Sequence, residues 1–172
     1  FGTFQGLFKF DGVGYQRYLP EANSRQSISD NQVTAIYNDS KGVLWVGTRN
    51  GLNRYNYLSN DFEHFKHDSA NSNSLPNNEV LAIAEDNDGN LWIGTLNGGL
   101  SRMSPVIKNG RRSYHFMNFS HDEKDASGLS SNIVFSIAFD QTGHGLIGTD
   151  KGLHIMMQPE KKDGSISFKH FK

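Results

Sequence analysis

The chain of 172 residues is 35% hydrophobic and 12% aromatic, which is enough apolar content for a buried core. Its formal net charge is -1, with charges of both signs scattered along the chain. This balance argues against nucleic-acid binding or membrane contact by this segment, because both partners need a basic face. The absence of cysteine excludes disulfides and thiolate metal sites.

No apolar run approaches the roughly 18 residues needed to cross a bilayer, and no signal-peptide pattern opens the chain. The sequence has no initiating Met and begins at Phe1 in the middle of a repeated phrase. We therefore expect it to be a fragment of a longer protein.

One phrase occurs three times, at residues 39–48, 86–95 and 140–149, and Phe1-Gly2-Thr3 repeats its tail. Each copy contains an anchor glycine, and these glycines are Gly2, Gly47, Gly94 and Gly148. Their separations of 45, 47 and 54 residues resemble the period of about 20 to 50 that signals stacked modules.

Each repeat predicts four short strands. The first, at 33–38, 80–85 and 134–139, is rich in branched and aromatic residues and stops at Asp-x-x-Gly. This tetrad is a hairpin signal, because Asp caps its own turn and Gly takes the positive φ that closes it. The second strand is the Leu-Trp-Val/Ile-Gly-Thr phrase, which is apolar on both faces, as expected for a strand covered on both sides.

A tight turn leads to the third strand, at 52–55, 100–103 and 153–156, and the fourth strand carries two aromatic residues three apart. The polar return from the fourth strand to the next unit keeps its length, whereas the third-to-fourth connection varies. Its longest version, Ser104 to Ser113, is basic. A solvated loop is the favoured interpretation there, with contact to another domain as the alternative.

Four antiparallel strands followed by a longer return describe a propeller blade. We therefore predict an all-β fold, a β-propeller segment of four-stranded antiparallel blades within one partial domain, 1–172. The blades are 33–66, 80–119 and 133–171, preceded by the last three strands of another blade at 1–18. The exposed blade faces would be covered by the parent protein or, in a homodimer, by a second copy.

The combined pattern closely resembles the two-component regulator propeller repeat. The second copy carries it through Leu75, Asn78, Val80, Ile83, Asp86, Gly89, Leu91, Trp92, Ile93, Gly94, Thr95, Gly99 and Leu100. The first copy matches through Asn31, Val33, Ile36, Asp39, Gly42, Leu44, Trp45, Gly47, Thr48, Gly51 and Leu52. The third copy departs, with Gly145 and Leu146 in place of Leu-Trp.

This resemblance implies about half of a seven-bladed ring in the periplasmic sensor region of a hybrid two-component regulator. The parent would be an inner-membrane protein with a histidine kinase and further neighbouring domains. It also implies a non-enzymatic sensor of oligosaccharides released from polysaccharides. A propeller enzyme, such as a lyase or glycosidase with its catalytic residues in missing blades, and a protein-interaction scaffold remain the alternatives.

Binding residues are expected where the return segments and the second-to-third turns share one face of the ring. Amide and charged side chains there can hydrogen-bond sugar hydroxyls. The candidates are Asn31, Gln32, Arg49, Asn78, Glu79, Asn132, Asp150 and Lys151. The alternative is that asparagines satisfy turn backbone, which is favoured for Asn50 and Asn97 and holds at least in part for the recurring Asn31, Asn78 and Asn132.

The sequence predicts no catalytic residues, no metal site and no cofactor. Asp86 opens an EF-hand-like tetrad, but the twelfth residue is Asn97 rather than the Glu such a loop requires, so turn capping is favoured. Trp45 and Trp92 are interpreted as packing between blades rather than as sugar platforms. His64 and His170 share one repeat position, interpreted as the variable surface of an outer strand.

Overall fold

The computed structural model describes residues 1–22, 24, 26–157 and 166–171. Every regular element in these ranges is a β-strand, and the strands form four antiparallel sheets. The predicted all-β propeller fold class is confirmed. None of the described residues lies in a helix long and apolar enough to span a membrane.

The first sheet has three strands, and each of the others has four, paired in chain order. The first contains β1 (Gly2–Thr3), β2 (Gly6–Phe10) and β3 (Tyr15–Tyr18). The second contains β4 (Val33–Asn38), β5 (Leu44–Thr48), β6 (Gly51–Asn56) and β7 (Asp61–Phe65). The third contains β8 (Val80–Glu85), β9 (Leu91–Thr95), β10 (Leu100–Lys108) and β11 (Arg111–Phe119). The fourth contains β12 (Val134–Phe139), β13 (Gly145–Thr149), β14 (Gly152–Met157) and β15 (Ser167–Phe171).

The first strand of each four-stranded sheet has the bounds that the sequence predicts, because the apolar run ends at the Asp-x-x-Gly turn. All three of these strands carry a register shift near their start, typical of a β-bulge. Beyond the shift, a small residue lies opposite the anchor glycine, as Ala35 does opposite Gly47.

Neighbouring sheets pack most closely at the anchor glycines. A Cβ added to Gly47 would lie 2.6 Å from Val80 Cγ1, and one added to Gly94 would lie 2.6 Å from Val134 Cγ1. Both valines belong to the first strand of the next sheet. The recurring glycine therefore makes room for the next sheet rather than for a turn.

The two tryptophans lie in the apolar layers between sheets, as the sequence predicts. Trp45 belongs to the cluster that joins the second and third sheets, with Val80, Ile83 and Met103. Trp92 belongs to the cluster that joins the third and fourth sheets. Both side chains are buried, so neither is available as a platform for a sugar ring.

The expectation of a loop from Ser104 to Ser113 is wrong. Strands β10 and β11 pair as far as Lys108 and Arg111, and a two-residue turn joins them. The turn residues Asn109 and Gly110 have φ values of 53° and 73°, which is typical of a type I′ hairpin turn. Because β9 pairs with β10 only as far as Met103, residues 104–115 form a two-stranded ribbon that extends beyond the sheet.

Candidate functional site

The turn face is the surface formed by the second-to-third turns and the return segments. The turns are residues 49–50, 96–99 and 150–151, and the return segments are 19–32, 66–79 and 120–133. In antiparallel sheets these connections lie at the same end of the strands. All eight candidate residues belong to them.

Backbone hydrogen bonds tie the turns of the second and third sheets to two successive return segments each. In the second sheet, Arg49 N donates to Gln32 O at 3.3 Å, and Gly51 N donates to Asn78 O at 2.8 Å. In the third sheet, Leu96 N donates to Glu79 O and Gly99 N donates to Asn132 O, both at 2.9 Å. Six of the eight candidates therefore lie on one hydrogen-bonded framework or directly beside it.

The recurring asparagines contribute to this framework through their side chains. Asn78 Oδ1 accepts a hydrogen bond from His67 N at 2.8 Å, and Asn132 Oδ1 accepts one from His121 N at 2.7 Å. Asn31 is used differently, since its Nδ2 donates to Phe4 O at 3.5 Å. The side-chain oxygens of Asn78 and Asn132 are therefore hydrogen-bonded to the backbone of the return segments.

The other candidates fall into two groups. Gln32 and Glu79 are half-buried, and their backbone N–H groups are capped by the side chains of Asp30 and Asn77. The exposed candidates are Arg49, Asp150 and Lys151. No side-chain hydrogen bond or ion pair joins these three to any other residue in the described ranges, so their donors and acceptors are available to a ligand.

The candidates do not line either of two large depressions. One, of about 350 Å³, lies between the outer strands of the first and second sheets and is lined by Arg17, Tyr18, Asn60 and Asp61, among others. A second, also of about 350 Å³, is formed by residues 67–72 and 74–76 with Asn118. The eight candidates therefore lie outside these two depressions, although return segments 19–32 and 66–79 help to line them.

The turn aspartates use both carboxylate oxygens within the repeat. Asp86 Oδ1 accepts hydrogen bonds from Asp88 N at 3.1 Å and Asn90 N at 2.8 Å. The other oxygen, Oδ2, accepts one from Trp92 Nε1 at 2.8 Å. Sequence reasoning missed this indole contact, although each tryptophan follows its aspartate by six residues. Among the described residues, no group of three or more His, Asp or Glu side chains could hold a metal ion.

The third repeat replaces the tryptophan and rearranges these contacts. Asp140 Oδ1 accepts hydrogen bonds from Thr142 Oγ1 at 2.6 Å and His144 N at 2.9 Å. Because the Thr142 hydroxyl donates its proton to Asp140, His144 Nδ1 is the donor in its 2.6 Å contact with Thr142 Oγ1. The bond from Thr142, followed by that from His144 N, lowers the pKa of Asp140 to about 2.

The position shared by His64 and His170 lies on the outer strand, as the sequence interpretation has it, and its side chain also contacts a return segment. His64 Nε2 lies 2.6 Å from Ser27 O, and His170 Nε2 lies 2.7 Å from Gly128 O. Asn118 Nδ2 makes the equivalent contact, with Ser74 O at 3.0 Å. The outer strand of each complete sheet therefore donates a hydrogen bond to its return segment, and dissimilar side chains provide it.

Two stretches of the chain, residues 27–50 and 74–97, match the sequence model of the two component regulator propeller family. Each stretch runs from the end of a return segment through the first two strands and into the following turn. None of the curated proteins is significantly similar in sequence.

Solved structures extend the similarity to nearly the whole chain. The extracellular domain of the putative hybrid two component system BT3049 from B. thetaiotaomicron is 29% identical, with a TM-score of 0.78 over 99% of this chain. The extracellular domain of the putative one component system BT4673 from the same organism is 25% identical, with a TM-score of 0.69 over 96%. This chain spans 22% of the length of each. A virginiamycin B lyase from Staphylococcus aureus, 13% identical with a TM-score of 0.58, shares the fold alone.

Proposed function

We propose that this chain, in which residues 27–50 and 74–97 match the two component regulator propeller family, is a non-enzymatic, ligand-sensing segment of a periplasmic sensor region. The similarity to the extracellular domain of a hybrid two component system over 99% of this chain carries the proposal. The parent protein is anchored in the inner membrane and passes the signal to a histidine kinase domain.

The ligand class we propose is an oligosaccharide from polysaccharide breakdown. The turn face supports this choice, because it combines exposed charges of both signs with the amides of Asn31 and Gln32. Sugar hydroxyls both donate and accept hydrogen bonds, so a mixed set of this kind suits them. Among the candidates, the side chains of Arg49, Asp150 and Lys151 make no hydrogen bond or ion pair with the part of the chain that the structure describes.

Residues 1–18, 33–66, 80–119 and 133–171 act as blades of one partial propeller, in this proposal, and further blades cover its exposed faces. Leu153 supports this arrangement, since it is 41% exposed while its repeat counterparts Leu52 and Leu100 are fully buried. Phe135 on the same sheet is also exposed. A second copy in a homodimer is the alternative cover.

Calorimetry with a panel of oligosaccharides, on the complete extracellular region that contains this chain, tests the ligand class. We expect one glycan family to bind and the Lys151→Ala and Arg49→Ala substitutions to weaken it. Lys41→Ala is the matched control, because Lys41 is exposed in an Asp-x-x-Gly turn at the opposite end of the strands. Failure of every glycan to bind would overturn the ligand class, and equal effects of the Lys41 and Lys151 substitutions would overturn the site.

A protein-interaction role is the second candidate, and the ribbon of residues 104–115 favours it. Its tip carries Lys108, Arg111 and Arg112, and Ile107 is 73% exposed among these cations. Arginine is enriched at protein interfaces, and the exposed Ile107 beside Arg111 and Arg112 adds apolar surface. If the double substitution Arg111→Ser with Ile107→Ser abolished kinase signalling while leaving glycan binding intact, this surface would contact a neighbouring domain.

A further inference from the structure

One buried position in the third strand of each complete sheet holds a polar side chain. Its occupants are Asn53 in β6, Ser101 in β10 and His154 in β14, and none is more than 1% exposed. A buried polar side chain must find hydrogen-bond partners inside the protein. Asn53 and His154 bond to return segments of the turn face, whereas Ser101 Oγ donates to Asn118 Oδ1 in the outer strand.

Asn53 and His154 hold equivalent residues of two return segments. Ser29 N donates to Asn53 Oδ1 at 2.8 Å, and Ser130 N donates to His154 Nε2 at 3.2 Å. Ser130 Oγ also lies 2.9 Å from the same ring nitrogen. The histidine therefore replaces an asparagine as the acceptor for the backbone of its return segment.

This contact fixes the protonation state of the ring. Nε2 can accept from Ser130 N only while it carries no proton, so this bond requires a neutral His154 with its proton on Nδ1. In the second sheet, the equivalent Asn53 also donates from its Nδ2 to Val46 O at 3.0 Å. His154 Nδ1 is buried without a hydrogen bond of good geometry to any described residue. The carbonyls of Ile147 and Gly152 nevertheless favour a proton on the ring.

The surroundings disfavour a charged ring. Burial, followed by the nearby ring of His170, lowers the pKa of His154 below its ordinary value of 6.5. The centroids of the two rings are 4.5 Å apart. Strands β12 and β13 of the same sheet carry no charged residue. In the return segment, the charged residue Asp125 lies beside Gly128, whose carbonyl oxygen contacts His170.

The residue held by His154 lies two positions before a candidate of the turn face. Asn132 O accepts from Gly99 N at 2.9 Å, and Asn132 Oδ1 accepts from His121 N at 2.7 Å. A shift of Ser130 would therefore move both Asn132 and the turn of the third sheet that is bonded to it.

We propose that His154 is a pH-responsive positioning residue of the turn face: the neutral ring holds Ser130, and the protonated ring releases residues 128–132. Protonation puts an N–H where the acceptor was, so the bond from Ser130 N is lost and only the Ser130 hydroxyl can still accept from the ring. This role rests on the proposed function insofar as the turn face binds the ligand.

Nuclear magnetic resonance on the chain itself tests the contact without any ligand. At about pH 7.5 the ¹⁵N shifts of His154 should report the tautomer protonated on Nδ1, since this pH lies above the ordinary histidine pKa. A ring protonated on Nε2 would overturn the proposal. As the pH falls below 6.5, the amide resonances of Ser130 and Gly99 should titrate together with the His154 ring.

The substitution His154→Asn is the matched variant, because Asn53 makes the same acceptor contact in the second sheet. It should keep Ser130 and Gly99 in place and abolish their titration, whereas His64→Asn, which copies Asn118, should leave the titration unchanged. Titration of Ser130 that persists in His154→Asn would overturn the proposal. If that variant does not fold, the tautomer of His154 and the joint titration of Ser130 and Gly99 in the unsubstituted chain still test the proposal.

Ligand binding separates this inference from the proposed function. The affinity for a bound glycan should fall by up to about tenfold per pH unit once the ring is mostly protonated, and His154→Asn should flatten this dependence. If no glycan binds at any pH while Ser130 still titrates with His154, the proposed function fails and the positioning contact stands. If a glycan binds with the same pH dependence in both proteins, the positioning role fails.

Discussion

Asp86 Oδ2 accepts a hydrogen bond from the indole nitrogen of Trp92 at 2.8 Å, and Asp39 accepts the same bond from Trp45 at 2.9 Å. One carboxylate therefore joins the Asp-x-x-Gly turn to the tryptophan that packs between the sheets. In the third repeat Leu146 has no donor, and Asp140 turns to Thr142 and His144 instead. The aspartate remains because its other oxygen still closes the turn.

Replacing Trp92 with leucine, the residue found in the third repeat, should destabilise the chain by about 3 kcal/mol. The substitution leaves a cavity between the third and fourth sheets and removes the indole donor from Asp86. Urea unfolding followed by circular dichroism measures the cost. Trp92→Phe keeps most of the apolar volume and should cost less. A change smaller than about 0.5 kcal/mol for leucine would contradict the packing role.

Gly47→Ala should destabilise the chain by about 1 to 3 kcal/mol, because the new Cβ would meet Val80 Cγ1 at 2.6 Å. Gly14→Ala is the control, since no heavy atom lies within 4 Å of a Cβ there. The double substitution Gly47→Ala with Val80→Ala should cost less than the sum of the single ones. Additive costs in this cycle would show that the glycine is not needed for contact with the next sheet.

Thr142→Val should raise the pKa of Asp140 from about 2 towards its ordinary value of 3.8, because the Thr142 hydroxyl is the largest cause of the lowering. A carboxylate with a lowered pKa stabilises the fold fully above about pH 3.8, and this stabilisation disappears as the pH falls towards 2. The variant should have less of this stabilisation, because its folded pKa lies closer to 3.8, and the loss should be complete at a higher pH. A ¹³C titration of the carboxyl group measures the shift, and an unchanged midpoint would remove Thr142 as its cause.

Gly110→Val should loosen the ribbon and leave the sheets intact. Gly110 has a φ of 73° and no heavy atom within 4 Å of a Cβ, so the penalty comes from the backbone alone. A branched residue at such a φ costs about 1 to 3 kcal/mol. Hydrogen exchange should show faster exchange of the amides at 106–113 only. Asn109→Gly is the neutral control, and equal exchange in both variants would count against the turn assignment.

The strand bounds at 33–38, 80–85 and 134–139 could be predicted because three signals coincide there. An apolar run, an Asp-x-x-Gly turn and a repeat period all mark the same ends. The ribbon carried a signal as well, since Asn109-Gly110 is a strong hairpin pair. Pro105 and the surrounding cations obscured it, because such residues are depleted in strands and a ribbon in solvent tolerates them at its edges.

The position of the eight candidate residues could be predicted from the sequence, but most of their hydrogen bonds could not. Antiparallel connectivity places the eight residues at one end of the strands, which follows from topology alone. The contacts of Asn78 and Asn132 with His67 and His121 depend on how a return segment folds back, and no local pattern encodes that. For the same reason, the shared donor role of His64, Asn118 and His170 could not be predicted from three residues of different chemistry.

The turns bonded to two return segments at once have a mechanical consequence. The bonds from Arg49 to Gln32 and from Gly51 to Asn78 clamp one turn between its neighbours, and those at Leu96 and Gly99 repeat the clamp. Neither the second nor the third sheet can fan outward without stretching bonds on both sides of its turn. A displacement imposed at one of these turns would therefore be transmitted to the next turn through the shared return segment.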